Sequence, residues 1–372
     1  MLARTWGRRG PRGMLGAVLA VIAIEAAFAR HDLDLSRPEN QGWRWGRSAA
    51  RRSAPKADIL CFGTSMVQTG VLPRVIAKRT GRPAFGMAVY ASEMPYSYYL
   101  FKQVLASGGE PSALIIDFPV NFLGSSLDTE ASAWPDALNL RDTFDMAWAR
   151  GDARFFAAVA SEKLLASMAY RLQVRKAVLA ALQGESASLA RESLSYARNH
   201  NQNHGAFLAG KKPGYSGEIS EGYRNAFLSA HWRPDPVKVR YFRRLIELAA
   251  ANGVRVYWVI SPFVPSLQTA RDAKRLDAPY DKFAWAMTSK FPNLTVLDAR
   301  HSGYAHSVFM DAIHLDIDGA AAFSRSIAEA INLDAPTQWV HLPKYRDTPV
   351  DAPFELAVDS ALAVRSGAAL RR

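Results

Sequence analysis

The chain is almost without cysteine. Cys61 stands alone, so no disulfide can form within the chain and no metal site can be built on thiolates. Cys61 follows Ile59 and Leu60 in an apolar run that reads as a buried strand, where a thiol is ordinarily inert packing. Long hydrophobic runs are missing too. The most apolar stretch, 14–29, has 16 residues and is interrupted by Glu25, whereas a full membrane span takes roughly 20. No basic stripe with interleaved aromatics accompanies the net charge of +12, which argues against a nucleic-acid partner. Half of that charge is local: residues 1–52 hold ten arginines against Glu25, Asp32, Asp34 and Glu39. His200, His204, His301 and His306 can be grouped with Asp298 on paper, but their spacing fits no zinc-ligand pattern. No metal and no cofactor is therefore expected, and no internal repeat is visible.

What is present begins at the N-terminus. Arg4, Arg8, Arg9 and Arg12 precede the apolar run, the layout of a signal peptide or signal anchor over residues 1–29. Ala27-Phe28-Ala29 offers a small-residue cleavage site. Positive charge ahead of the run keeps the N-terminus in the cytoplasm. The rest is then expected outside it, exported or tethered to the membrane. An ordinary amphipathic helix is the plainer alternative. Residues 30–56 are polar and Arg-rich and read as a linker with at most a short helix.

From residue 57 onward the pattern is α/β. Short apolar runs at 57–62, 83–89, 113–118, 254–260 and 294–298 read as buried parallel strands. Helical periods at 71–80, 95–106, 236–252, 280–290 and 319–331 alternate with them. Pro73 near one helix start and Gly81 after its end supply start and stop signals. This predicts a central parallel sheet of about five strands with helices on both faces. Residues 122–235 hold no convincing strand. Ala-rich helical spacing at 134–151 and 152–182 and a polar stretch at 199–220 make this a mostly helical insertion. Residues 332–372 read as a C-terminal extension on the surface.

Two strings carry chemistry. Phe62-Gly63-Thr64-Ser65 sets a serine where a strand ends and a helix begins, the edge at which open α/β sheets bind ligands. A serine there is either a helix N-cap or a nucleophile, and a nucleophile needs a base. Asp311-Ala312-Ile313-His314-Leu315 supplies one before the last helix. In a single turn this spacing lets the Asp311 carboxylate reach one ring nitrogen of His314 while the other faces Ser65. A surface histidine beside an aspartate is the plainer reading of that string alone.

Together the Gly-x-Ser opening and the Asp-x-x-His-Leu string resemble the SGNH (GDSL-type) hydrolase superfamily, over roughly 57–121 and 237–331. The resemblance implies a flavodoxin-like three-layer sandwich and a Ser65–His314–Asp311 triad. It also marks departures. Thr64 stands where the family has aspartate. The 87–92 segment lacks the glycine whose N–H helps hold the oxyanion, leaving Ala91 or Ser92. The third block is reduced to Asn121, which reads equally as a turn residue closing a strand. Ser92 and Asn121 are the oxyanion candidates.

The function this implies is an esterase, deacetylase or O-acyltransferase on an acyl ester, with O-acetylated envelope polysaccharide as the substrate suggested by location. The alternatives are a non-catalytic module binding a glycan or an envelope partner, and a lipid or thioester hydrolase.

Overall fold

The computed structural model describes residues 10–30, 38–127, 134–164, 182, 199–208, 214–229, 232–333 and 338–346. The chain forms two compact units, one of Met1–Gln41 with Ser132–Ser193 and one of Gly42–Ala131 with Leu194–Arg372.

The larger unit is built on one sheet of parallel strands: β1 Ile59–Gly63, β2 Ala84–Gly86, β3 Ala113–Asp117, β4 Arg255–Ile260, β5 Leu294–Asp298 and β6 Trp339–His341. Their order is β2-β1-β3-β4-β5-β6. The first five follow the doubly wound flavodoxin order, whose direction reverses between β1 and β3. Every residue of β1 and β3 is buried, because parallel strands need helices on both faces to close the crossovers. This is why they are written as unbroken apolar runs rather than alternating ones. Gly63 pairs with Asp117 at the carboxyl ends of β1 and β3, so the turn after each strand opens at the same edge.

Helix starts are capped by side chains. Asp235 takes Val237 N and Lys238 N at 2.9 Å to start Pro236–Ala251. Asp316 takes Asp318 N and Gly319 N to start Ile317–Asn332. Each caps two of the donors that a helix N-terminus leaves unpaired. The last helix thus begins two residues before the expected Gly319. It packs on the elements after β1: Ser324 Oγ accepts from Leu72 N at 2.8 Å, which holds the two ends of the chain's chemistry together.

Several elements differ from the sequence reading. A sixth strand, β6, lies within the 332–372 extension; three residues are too few to show a period. The 83–89 strand shrinks to Ala84–Gly86. The 30–56 stretch holds a 15-residue helix, Pro38–Arg52. Its Trp43 is buried against Tyr96 with ring centroids 4.3 Å apart, and Tyr96 Oη donates to Trp43 O at 2.9 Å. The 122–235 segment contributes to both units. Trp134–Ala137, Leu140–Arg150 and Ala153–Leu164 belong to the smaller unit; most of the expected 152–182 helix lies outside the described residues. Residues 199–208 instead cover the β2 edge, with Gly86 N donating to His204 O at 2.7 Å and Phe207 N to Gln68 O at 2.8 Å. The Lys211-Lys212-Pro213 part of the polar stretch is outside the described residues.

Backbone approach at this edge is very close. A Cβ on Gly205, whose φ is +93°, would lie 2.0 Å from Gly86 O. We expect Gly205→Ala to destabilise the fold by about 1–3 kcal/mol through overpacking and a left-handed backbone. Gly81→Ala, also at positive φ but facing open space, should cost about 1 kcal/mol. Urea melts of the two variants check the difference.

Candidate active site

The serine sits in a turn that leaves little choice of residue before it. Gly63 has φ +147°, and a Cβ there would meet Asp117 O at 2.6 Å and Val67 Cγ2 at 2.7 Å. Thr64 is fully buried and its hydroxyl accepts from Met66 N at 3.4 Å, capping the short helix Ser65–Gly70. A hydroxyl thus occupies the capping position where the resembled family has a carboxylate. Ser65 is the first residue of that helix, so its own N–H has no intrahelical partner.

His314 arrives from the loop before the last helix. Its Nε2 is 2.8 Å from Ser65 Oγ and its Nδ1 is 2.8 Å from Asp311 Oδ2. Asp311 Oδ1 accepts from Ile313 N and His314 N, both at 2.9 Å. An acceptor carboxylate on Nδ1 selects the tautomer with the proton there, leaving Nε2 to accept from the serine hydroxyl. Burial alone would raise the Asp311 pKa. The His314 ring and the two backbone N–H donors outweigh it and hold the carboxyl at about 2, below its ordinary 3.8. Ser65 is buried and His314 nearly so, while Asp311 keeps 27% of its side-chain surface. The set can therefore take a proton from the Ser65 hydroxyl and hold the resulting imidazolium beside a charged carboxylate.

The oxyanion candidates lie on two segments at the same edge, the 87–93 loop and the short helix Val120–Gly124. Val89 N donates to Gly63 O at 3.2 Å, which runs the 87–93 loop alongside the serine turn. Ser92 N–H is spent on Val89 O at 3.1 Å, and its hydroxyl is buried without a hydrogen-bond partner among the described residues. Ala91 carries φ +50°, a left-handed conformation that suits glycine. Its N–H donates to none of the described residues, whereas that of Ser92 is used. Asn121 lies in the helix Val120–Gly124, four residues past Asp117. Its Oδ1 is buried and unpartnered among the described residues.

One ammonium ties these two segments together. Lys238 is fully buried, pairs with Glu93 at 2.8 Å, and donates to Phe122 O at 2.6 Å and Ser125 Oγ at 3.0 Å. Glu93 follows Ser92, and Phe122 and Ser125 follow Asn121. Nothing in the sequence marks this pair, because a lysine in a helix ordinarily reads as solvent-facing.

Two tyrosines, Tyr215 and Tyr223, also lie near Asp311. Burial first, then the Asp311 charge, holds the Tyr215 and Tyr223 hydroxyls above their ordinary range, and Tyr90 acts on Tyr223 in the same sense. Tyr215 comes from the 199–220 stretch read as polar, and Tyr223 from the rest of the 122–235 segment read as a mostly helical insertion. Behind the edge, Met66, Val120, Phe263 and Tyr280 line a small cavity with Asp117 and Ser261. Burial pushes the Asp117 carboxyl up to about 7 despite the Ser261 hydroxyl that donates to it.

The remaining histidines go elsewhere. His200 is buried against Trp45, ring centroids 3.6 Å apart, and burial drives its pKa down to about 3. His301 pairs with Asp272 at 3.2 Å, and Asp298 is held by Arg300 at 2.6 Å. Among the described residues no group of three His, Cys, Asp or Glu side chains is placed to hold a metal ion.

Two outcomes follow for stability. A carboxyl depressed in the folded state stabilises above its unfolded pKa and loses that contribution as pH falls through its folded value. The stability gap between wild type and Asp311→Asn should therefore be full above about pH 4 and close towards pH 2, as read by denaturant melts across that range. Ala91→Gly relieves the left-handed strain and should stabilise the protein by about 1 kcal/mol, measured as a rise in melting midpoint. Comparison of the chain with protein-family models and with curated proteins finds no match.

Proposed function

We propose that this protein is a serine acyl hydrolase or acyltransferase of SGNH type, with Ser65 as nucleophile, His314 as general base and Asp311 as its orienting acid. The observation that carries the reading is the unbroken chain of two 2.8 Å contacts, Ser65 Oγ to His314 Nε2 and His314 Nδ1 to Asp311 Oδ2.

In this reading Ser65 Oγ attacks the carbonyl carbon of an acyl ester while its proton passes to His314 Nε2. Asp311 stays ionised throughout and stabilises the imidazolium. The negative oxygen of the tetrahedral intermediate takes hydrogen bonds from the Ser65 and Ala91 N–H groups and the Asn121 amide. Collapse expels the alcohol, which takes the proton back from Nε2 and leaves an acyl group on Ser65. Water or a second alcohol then attacks the acyl carbon with the same proton path, giving hydrolysis or transfer. The Arg-rich start and apolar run support an exported or membrane-tethered enzyme. O-acetylated polysaccharide of the cell envelope is the proposed substrate class.

The full chain, purified in detergent, is assayed on a short acetyl ester and with a fluorophosphonate that labels activated serines. Ser65→Ala should abolish labelling and lower ester turnover by at least about 10³-fold, as triad removal does elsewhere. Asn121→Ala should lower kcat by about 10²–10³-fold with a smaller change in KM, since the amide acts on the transition state. A wild-type protein that neither labels nor hydrolyses any acyl ester offered, with or without an acceptor alcohol, overturns the reading.

A further inference from the structure

The smaller unit carries a helix with an apolar stripe on its exposed side. Leu140–Arg150 buries Asp142, Thr143, Met146 and Ala147 and exposes Leu140, Phe144 and Trp148. The polar pair is inside because Asn139 caps the helix with it. Asp142 N donates to Asn139 Oδ1 at 2.8 Å, and Thr143 Oγ1 donates to Asn139 O at 2.8 Å. The three apolar residues, spaced by four, form one stripe on the opposite side. Trp148 is 74% exposed and Phe144 58%. Phe144 stacks on Trp148 with centroids 6.3 Å apart and meets Phe156 edge-on at 6.0 Å. The rings brace one another, so docking them onto a partner orders little that is not already ordered.

The same unit says what covers such a stripe. In its helix Gly10–Arg30 every residue from 13 to 23 is exposed, and none has a polar side chain. The large ones, such as Met14 at 73% and Leu15 at 61%, lack any protein cover. A protein partner or a second copy buries one face of a helix; lipid is the surrounding that suits all faces. Tryptophan and phenylalanine beside cations are the residues that favour the headgroup layer of a bilayer. Arg141, next to Leu140, and Arg154, at the start of the helix Ala153–Leu164, are exposed, and Arg4, Arg8, Arg9 and Arg12 precede the apolar run without an intervening acid. Such charge fits anionic headgroups.

We infer that the Leu140–Phe144–Trp148 face docks onto the headgroup layer of an anionic bilayer, a second membrane contact in the unit that carries the N-terminal apolar helix. Among the described residues no helix is long and apolar enough to cross a membrane, and the docking surface does not require one. The contact is independent of the chemistry at Ser65.

The test uses the full chain reconstituted into vesicles of phosphatidylglycerol and phosphatidylethanolamine whose acyl chains are brominated close to the headgroup. Tryptophan quenching is compared between wild type and Trp148→Phe, the difference isolating one of the nine tryptophans. Trp148 is exposed, so this variant should fold normally, and its melting midpoint checks that. The expected result is stronger quenching of wild type by the shallow bromines and loss of that excess in Trp148→Phe. Phe144→Ser, which keeps Trp148 but breaks the stripe, should lose most of it as well. Equal quenching of wild type and Trp148→Phe would overturn the inference. A dimer in detergent, seen by light scattering and dissociated by Trp148→Phe, would overturn it too and assign the face to a second copy.

Discussion

Asp311 makes three hydrogen bonds within three residues of itself. One oxygen takes the backbone N–H groups of Ile313 and His314, and the other takes the imidazole of His314. The first two contacts fold the loop; the third aims the ring. Because the same carboxylate does both, the loop cannot relax without turning the histidine away from Ser65. The Ser324 contact to Leu72 then fixes how far this loop stands from the serine turn. The arrangement at the sheet edge thus rests on a side chain that is structural and electrostatic at once.

The segments that carry Ser92 and Asn121 are held by a different device. A buried lysine brings a carboxylate from one and carbonyl and hydroxyl oxygens from the other to a single point. A buried charge is costly unless fully paired, so the two segments are held at the spacing that satisfies it. This restricts motion on one side of the site, while the Asp311 turn restricts the other.

The sheet was legible because parallel strands buried on both faces must be continuous apolar runs. The serine and histidine strings could be read because each is local, with its partners within three residues. What escaped was long-range or too short to carry a pattern. β6 has three residues. The cover on β2 depends on two glycines, Gly86 and Gly205, more than a hundred residues apart. Tyr215 and Tyr223 come to Asp311 from the 122–235 segment, and Lys238 looks like any surface lysine until its helix is packed. Ser92 was a reasonable candidate by position, but the turn that forms there uses its N–H and leaves that of Ala91.

Cys61 has a consequence for where the protein can work. Its thiol is wholly enclosed in β1, and burial pushes its pKa up to about 12. A thiol so protonated and shielded neither exchanges with glutathione nor couples to another chain. The covalent structure is therefore the same in a reducing and in an oxidising compartment, and folding outside the cytoplasm would call on no disulfide-forming machinery.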